Sequence, residues 1–153
     1  DMKKIPLNRE VILDRIRIIE KSLSKLARFK DMSLEDFKSG ENFAIAEHYL
    51  RRTLEAVFDI GNHIISRIPG EKASSYREIA IILGRYNIVS EEFARDKLVR
   101  MAGYKNRLIH FYSEITEEDM YNIIQANLLD IEEFISALKI LLEKPEKYGF
   151  SII

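Results

Sequence analysis

Apolar residues recur every three or four positions along most of the chain, the spacing that places side chains on one face of a helix. The first such run predicts a helix from about Arg9 to Phe29, with Asn8 as its N-cap. After a break, Ser33 and Asp36 predict the cap and first turn of a short helix. The chain is therefore expected to open with one long helix and one short helix.

The middle of the chain predicts three further helices. Gly40 precedes an almost unbroken apolar stripe, which predicts a second long helix that continues to about Ile68. A loop then leads to a shorter predicted helix, from about Ser75 to Arg85. Ser90 opens the next long helix, which we expect to continue through roughly Ile109.

The last helix has a clear sequence signal at each end. The segment from Thr116 to Asp119 has the form of a capping box, and Pro145 follows the end of the helix at about Glu143. The tail, Lys147 to Ile153, carries no helical pattern. We expect it to be loose or docked on a neighbouring molecule.

The composition agrees with a helical bundle. The 153 residues include only 6 Gly and 3 Pro, too few for the frequent turns of a sandwich or barrel. We therefore expect an all-α protein, an up-down helical bundle of four main helices plus short helices, in one domain over residues 1–153. Cysteine is absent, and no apolar stretch approaches the ~20 residues of a membrane span. We expect a cytoplasmic protein that does not contact a membrane.

Charge and histidine content narrow the kinds of ligand. The net charge of −1 means that the chain as a whole does not attract nucleic acid, so RNA binding needs a local patch. Arg51, Arg100 and Arg107 are candidates for such a patch. A solvated face or ordinary surface ion pairs would explain the same arginines. The 3 histidines have no convincing metal-ligand spacing with carboxylates, and we expect no metal site and no cofactor.

The most informative segment extends from Leu98 to Tyr112. Projected on a helix at ~100° per residue, its apolar side chains form one arc: Leu98, Met101, Ala102, Leu108, Ile109 and Tyr112. Lys105 lies near the middle of that arc, where an ammonium group is costly to bury unless it is paired or lines a cleft. The alternative is that its stem covers the core while the amine reaches solvent or a carboxylate.

Asn106 and His110 are four residues apart, so a continuous helix would place them on one face beside Lys105. Histidine titrates near neutral pH, and an imidazole beside an amide and a cation suits proton transfer. A lone histidine is nevertheless more often structural. Tyr112 follows at or just beyond the helix end, where its hydroxyl could reach solvent or a partner.

The run from Gly103 to Tyr112, Gly-Tyr-Lys-Asn-Arg-Leu-Ile-His-Phe-Tyr, resembles the HepT family of the HEPN superfamily. Members of that family often have Gly-Phe-Arg-Asn-x-Leu-x-His-x-Tyr at this place. The similarity extends from about Arg9 to Leu142 and includes the stretch from Tyr76 to Leu83. One departure is that Lys105 stands at the position of the family's arginine, which keeps the charge but loses the bidentate fork that suits a phosphate.

The resemblance implies a homodimeric toxin that cleaves RNA without metal and is paired with an MntA-type nucleotidyltransferase antitoxin. It makes His110 the general acid/base and Lys105 the cation that stabilises charge on the phosphate. Asn106 would orient His110 or the phosphate. Tyr112 matches the tyrosine that the antitoxin adenylylates.

Three functional hypotheses follow. The first is an RNA-cleaving toxin that uses Lys105, Asn106 and His110. The second is a catalytically weak or inactive helical dimer that serves as partner and Tyr112 adenylylation substrate of a nucleotidyltransferase, which the lysine substitution favours. The third is a helical-bundle interaction or nucleotide-binding module without either activity.

Overall fold

Helices make up most of the structure, a computed structural model that describes residues 4–110 and 115–153. In chain order the elements are β1 (Ile5–Leu7), α1 (Arg9–Leu26), a 3-10 turn (Ala27–Phe29), α2 (Leu34–Phe37), α3 (Asn42–Arg67), α4 (Tyr76–Arg85), α5 (Glu91–Phe93), a π-helical turn (Ala94–Leu98), α6 (Val99–Ile109), α7 (Glu117–Glu143), a second 3-10 turn (Pro145–Tyr148) and β2 (Phe150–Ile152). The all-α class is confirmed, with α1, α3, α6 and α7 as the main helices.

Side-chain caps fix where several of these helices begin. Asn8, Ser33 and Thr116 each accept a hydrogen bond from a backbone amide in the first turn of the helix that follows. Thr116 and Asp119 complete a capping box, because the Asp119 carboxylate accepts in return from the Thr116 backbone amide. These three predicted helix starts are confirmed.

The central element of the core is α3, which packs against α1, α4, α6 and α7. Gly61 allows α4 to approach α3 closely, because a Cβ atom at this position would lie 2.5 Å from Cγ2 of Ile79. The close approach places the N-terminal end of α4 beside α3 and α6. The cleft described below lies at that junction.

The helix that we expected from Ser90 to Ile109 contains an irregular turn. Ser90 caps it as predicted, but residues 94–98 form a π turn before α6 begins. At this turn α4 comes close, since a Cβ on Gly84 would lie 2.7 Å from the Cβ of Ala94. A π turn holds more residues than an α turn, so it shifts the angular position of the side chains along the helix.

The two ends of the described chain pair with each other. β1 and β2 form a parallel two-stranded sheet, with Ile5 opposite Phe150 and Leu7 opposite Ile152. Leu7 and Phe150 are almost fully buried. The expectation of a tail that is loose or docked on a neighbour was therefore wrong. Phe150 contributes an apolar side chain to the core, and Gly149, at φ 80°, provides the left-handed turn that leads into β2.

Candidate active site

The C-terminal half of α6 carries the residues singled out in the sequence. Buried members of the predicted apolar arc are Leu98, Met101, Ala102 and Leu108. The prediction was wrong for Ile109, which is 47% exposed. Helical geometry ends at this residue, so a regular projection does not hold beyond it. His110 follows with an extended backbone, at φ −107° and ψ 119°.

Lys105 is buried within the arc, as predicted, with only 6% of its surface exposed. Its Nζ lies 5.7 Å from the centroid of the Tyr76 ring, close enough for the ring face to attract the cation. Among residues 4–110 and 115–153, no carboxylate lies within 4.0 Å of this amine. The amine therefore opens onto a cleft instead of joining an ion pair there.

That cleft, which we call the Lys105 cleft, has a volume of about 570 Å³ and lies where α3, the start of α4 and α6 meet. Its lining comprises Glu55, Phe58, Asp59, Asn62, Ala73, Ser74, Ser75, Tyr76, Ile79, Lys105 and Asn106. Phe58 and Tyr76 pack with their ring centroids 5.3 Å apart. The Ser74 backbone amide and hydroxyl donate to Glu78, and these hydrogen bonds lower the pKa of the Glu78 carboxyl. The lining is thus mixed in charge and partly aromatic.

His110 lines a different depression, which we call the His110 groove, of about 540 Å³. Its lining comprises Phe43, Glu47, Arg51, Arg107, Leu108, Ile109, His110 and Ile115. Arg51 lies 3.6 Å from Glu47. Arg107 donates to Asp119 at 2.9 Å, and this hydrogen bond is the main reason that the pKa of the Asp119 carboxyl is lowered. Two guanidinium groups and an exposed imidazole thus meet in one groove.

The predicted single site is therefore divided between two depressions. Lys105 and Asn106 line one, whereas His110 lines the other, and the sharing of a helix face by Asn106 and His110 stays a prediction. Lys105 and His110 are five residues apart, which on a helix is roughly 140° beyond a full turn, so these two side chains point in different directions. Arg51 and Arg107, which the sequence suggested only as RNA-binding candidates, accompany His110 instead.

Arg100 belongs to an ion-pair network away from both depressions. Its guanidinium lies 2.8 Å from Asp96 and 4.0 Å from Asp130, which is itself 3.6 Å from Lys97. The structure thus agrees with the simpler explanation given for Arg100, a surface ion-pair network, and its role in RNA binding stays a prediction.

The same network fixes α6 against α7. The Tyr104 hydroxyl donates to Asn127 at 3.2 Å, and the Asn127 amide donates to Asp130 at 2.9 Å. Burial raises the pKa of the Tyr104 phenol, which therefore stays a hydrogen-bond donor. These bonds hold the helix that presents both Lys105 and His110.

Sequence reasoning missed Glu55, Phe58 and Tyr76 as companions of Lys105. Glu55 is on the polar side of a long amphipathic helix, where a charged residue carries no signal of its own. The one sequence feature that pointed to Tyr76 was the resemblance of the stretch from Tyr76 to Leu83 to the family, and it did not show that Tyr76 lies beside Lys105. Their meeting depends on the way α3 and α4 pack.

Tyr112, the candidate AMP acceptor, lies outside the described residues. In the part of the chain that is described, no three His, Asp or Glu side chains are grouped so that they could hold a metal ion. No helix in that part is long and apolar enough to cross a membrane.

Comparison with known proteins decides the family. The family model described as Ribonuclease HepT-like matches residues 19–138, most of the chain. The chain belongs to the ribonuclease HepT-like family. A relative named tRNA nuclease HepT, from Aphanizomenon flos-aquae, is 32% identical over 115 residues, which are 74% of this chain and 78% of the relative. The resemblance noted in the sequence is thus confirmed.

Two further comparisons come from Shewanella oneidensis. The protein named mRNA nuclease HepT is 26% identical over 85% of this chain and 97% of its own length. A solved structure of the tri-AMPylated HEPN toxin in complex with MNT antitoxin has a TM-score of 0.77 to this HepT-like chain. The two share 23% sequence identity over 86% of this chain and 98% of that toxin, so the structural match supports the HEPN fold.

Proposed function

We propose that this HepT-like chain is the toxin of a toxin–antitoxin module and cleaves RNA without a metal ion, with the reaction in the His110 groove. The observation that supports this best is the exposed imidazole of His110 in a groove with Arg51 and Arg107. The relatives named as a tRNA nuclease and an mRNA nuclease support RNA as the substrate class. We place its action in the cytoplasm, where such RNAs occur.

RNA carries its own nucleophile for this reaction. As general base, His110 would take the proton of a ribose 2′-hydroxyl, whose oxygen bonds to the adjacent phosphorus while the P–O5′ bond breaks. The departing O5′ receives a proton from water or from a second copy of His110, which leaves a 2′,3′-cyclic phosphate and a 5′-hydroxyl. Arg51 and Arg107 would stabilise the charge that builds on the phosphate oxygens.

Lys105 and Asn106 enter this scheme only through a second copy of the chain. Within one chain Lys105 and Asn106 line the Lys105 cleft, whereas His110 lines the His110 groove. We propose a homodimer in which the Lys105 cleft of one copy faces the His110 groove of the other. The predicted roles of Lys105 and Asn106, stabilising the phosphate and orienting His110, depend on that arrangement.

Cleavage of RNA by the purified chain tests the proposal. His110→Ala should lower the rate by about a hundredfold or more, because general acid–base catalysis contributes about 10²–10⁴-fold. His48→Ala is the matched control, since His48 is exposed on α3 and lines neither depression. Equal cleavage by the His110→Ala variant and the unaltered chain would exclude this role for His110.

A second candidate function is that of an adenylylated partner with little nuclease activity. The separation of Lys105 from His110 favours it, as does the complex of a tri-AMPylated toxin with its antitoxin among the structural neighbours. We propose Tyr112 as the AMP acceptor for an MntA-type nucleotidyltransferase. After co-expression of the two, mass spectrometry should find AMP on the chain and none on the Tyr112→Phe variant; AMP that persists on the variant would refute the assignment.

A further inference from the structure

The Lys105 cleft contains the amine of a largely buried lysine, and no carboxylate of residues 4–110 and 115–153 forms an ion pair with it. The residue is only 6% exposed, and its amine makes a cation–π contact with the face of the Tyr76 ring. A buried ammonium is normally paired or hydrogen-bonded. The cleft onto which the amine opens is the place from which a missing acceptor can come.

The carboxylates on the α3 side of the cleft limit what that acceptor is. Asp59 lies 3.6 Å from Arg15, whereas Glu55 has no ion pair within the described residues. A phosphate group that filled the cleft beside Glu55 and Asp59 would be repelled by these two carboxylates, whatever phosphate contact Lys105 makes with a second copy of the chain. A neutral ligand fits better if it offers acceptors to Lys105 and donors to Glu55.

We propose that the Lys105 cleft binds the guanine base of an RNA nucleotide next to the bond that is cut. This rests on the proposed ribonuclease function. Guanine presents two acceptors, O6 and N7, on one edge and two neighbouring donors, N1–H and the N2 amino group, beside them. Lysine is a common partner of the first pair, and a carboxylate can accept both donors of the second. Adenine, cytosine and uracil lack two adjacent donors of this kind.

The remaining lining suits a flat base. The half-buried Tyr76 ring, which packs at a tilt of 52° against the buried Phe58, offers an aromatic surface on which a base can stack. Asn62 and Asn106 place exposed amides at the rim, which can bind further base or sugar atoms. The volume of about 570 Å³ lies in the range of small-ligand sites. Proteins recognise single-stranded RNA through splayed bases bound in this way.

Binding to short RNAs tests the proposal. Single-stranded oligonucleotides that differ only in carrying one G, A, C or U are titrated by fluorescence anisotropy into the full-length chain with His110→Ala, which prevents cleavage. The G oligonucleotide should bind about tenfold more tightly than the others. Glu55→Gln should reduce this preference, because the amide keeps one acceptor oxygen but its NH₂ cannot accept from the second guanine donor. Lys105→Met should weaken binding of the G oligonucleotide most. Glu143→Gln and Lys25→Met, which change exposed residues away from the cleft, should keep the preference.

Competition with GMP distinguishes binding of guanine in RNA from binding of a free guanine nucleotide. If GMP displaces the G oligonucleotide at a concentration similar to that of unlabelled oligonucleotide, the cleft binds free guanine nucleotides; a much weaker effect assigns it to RNA. Equal affinity for the four oligonucleotides, or a preference that survives both cleft substitutions, would overturn the proposal. Cleavage of RNA by the unaltered chain is scored separately. If it depends on His110 but not on guanine, this inference fails and the ribonuclease function stands.

Discussion

The two depressions beside α6 differ in how their charges are arranged. The His110 groove holds two arginines and an imidazole near the surface, and its guanidinium groups lie against Glu47 and Asp119. The Lys105 cleft holds a single ammonium at its inner end, with carboxylates that do not reach it. The groove suits the phosphate backbone of RNA, which its cationic side chains attract irrespective of base sequence. The cleft suits a ligand whose hydrogen-bond donors and acceptors match those of its lining.

This difference shows that a sequence motif need not be a single site. Lys105 and His110 are five residues apart in the chain, yet each belongs to a surface built with different neighbours. The other lining residues of the His110 groove come from the first half of α3, from α6 and from Ile115, just before α7. Those of the Lys105 cleft come, apart from Asn106, from the second half of α3, from α4 and from the loop that precedes α4. Substitutions that alter one depression and not the other therefore test whether the two depressions have separate roles.

The largest expected effect comes from Gly61→Ala. The new methyl group would press on Ile79, which lines the Lys105 cleft, so we expect the free energy of unfolding to fall by about 1–3 kcal/mol. Urea denaturation followed by circular dichroism measures it. Gly103→Ala is the control, because no atom lies within 4 Å of its added Cβ, and alanine in a helix should stabilise by up to ~1 kcal/mol. If both variants are equally stable, α4 is not tightly packed on α3.

A smaller effect is expected from Arg107→Met in the groove. Loss of one cation from the His110 groove should weaken binding to every RNA sequence alike, by about fivefold. It should also lower the magnitude of the slope of log K against log salt concentration by about 1. Arg85→Met is the control, since Arg85 pairs with Glu71 and lines neither depression. A change in base preference, with no change in slope, would mean that the groove and the cleft had been assigned the wrong way round.

The smallest expected effect is on the pH dependence of the unfolding free energy, and it comes from His63. It is measured separately from the pH dependence of RNA cleavage in the His110 groove. Nε2 of His63 accepts a hydrogen bond from the Asn8 backbone amide at 3.2 Å. Burial, followed by the charges of Arg67 and Arg15, lowers the pKa of His63. The folded state therefore prefers the neutral ring. Its contribution to stability is present above the unfolded pKa of about 6.5 and is lost as pH falls through the lowered folded value.

We therefore expect the unfolding free energy to decrease by less than about 1 kcal/mol on acidification from roughly pH 7.5 to 5, because the ring is partly exposed and screened. His63→Gln, which keeps an acceptor but does not titrate, should remove this part of the decrease. His48→Gln should not. The measurement is urea denaturation at several pH values, and an identical pH dependence in the two variants would show that His63 does not carry it.

Local signals in the sequence predicted much of the fold. The caps Asn8, Ser33 and Thr116 mark helix starts because a side-chain oxygen must satisfy amides that have no partner inside the helix. The burial of Lys105 followed from its position in the apolar arc. Each of these features depends on residues that are neighbours in the chain.

Features that depend on distant parts of the chain were not predictable in this way. The pairing of β1 with β2 joins opposite ends of the described chain, and each strand alone is too short to carry a period. The Lys105 cleft needs Glu55 from α3 and Tyr76 from α4, which only tertiary packing brings together. The placement of His110 depends on where α6 ends, and helix ends are the least certain part of a pattern.

The parallel pairing of β1 and β2 has a consequence for how the chain matures. Closing so long a loop has a large entropic cost, so these strands are expected to join after the helices have packed. On the ribosome, Leu7 is made before Phe150 and stays uncovered until the segment with Phe150 has been made. A chain broken off before Phe150 would keep its helices but leave Leu7 in water, where a cellular protease could distinguish it from the finished protein.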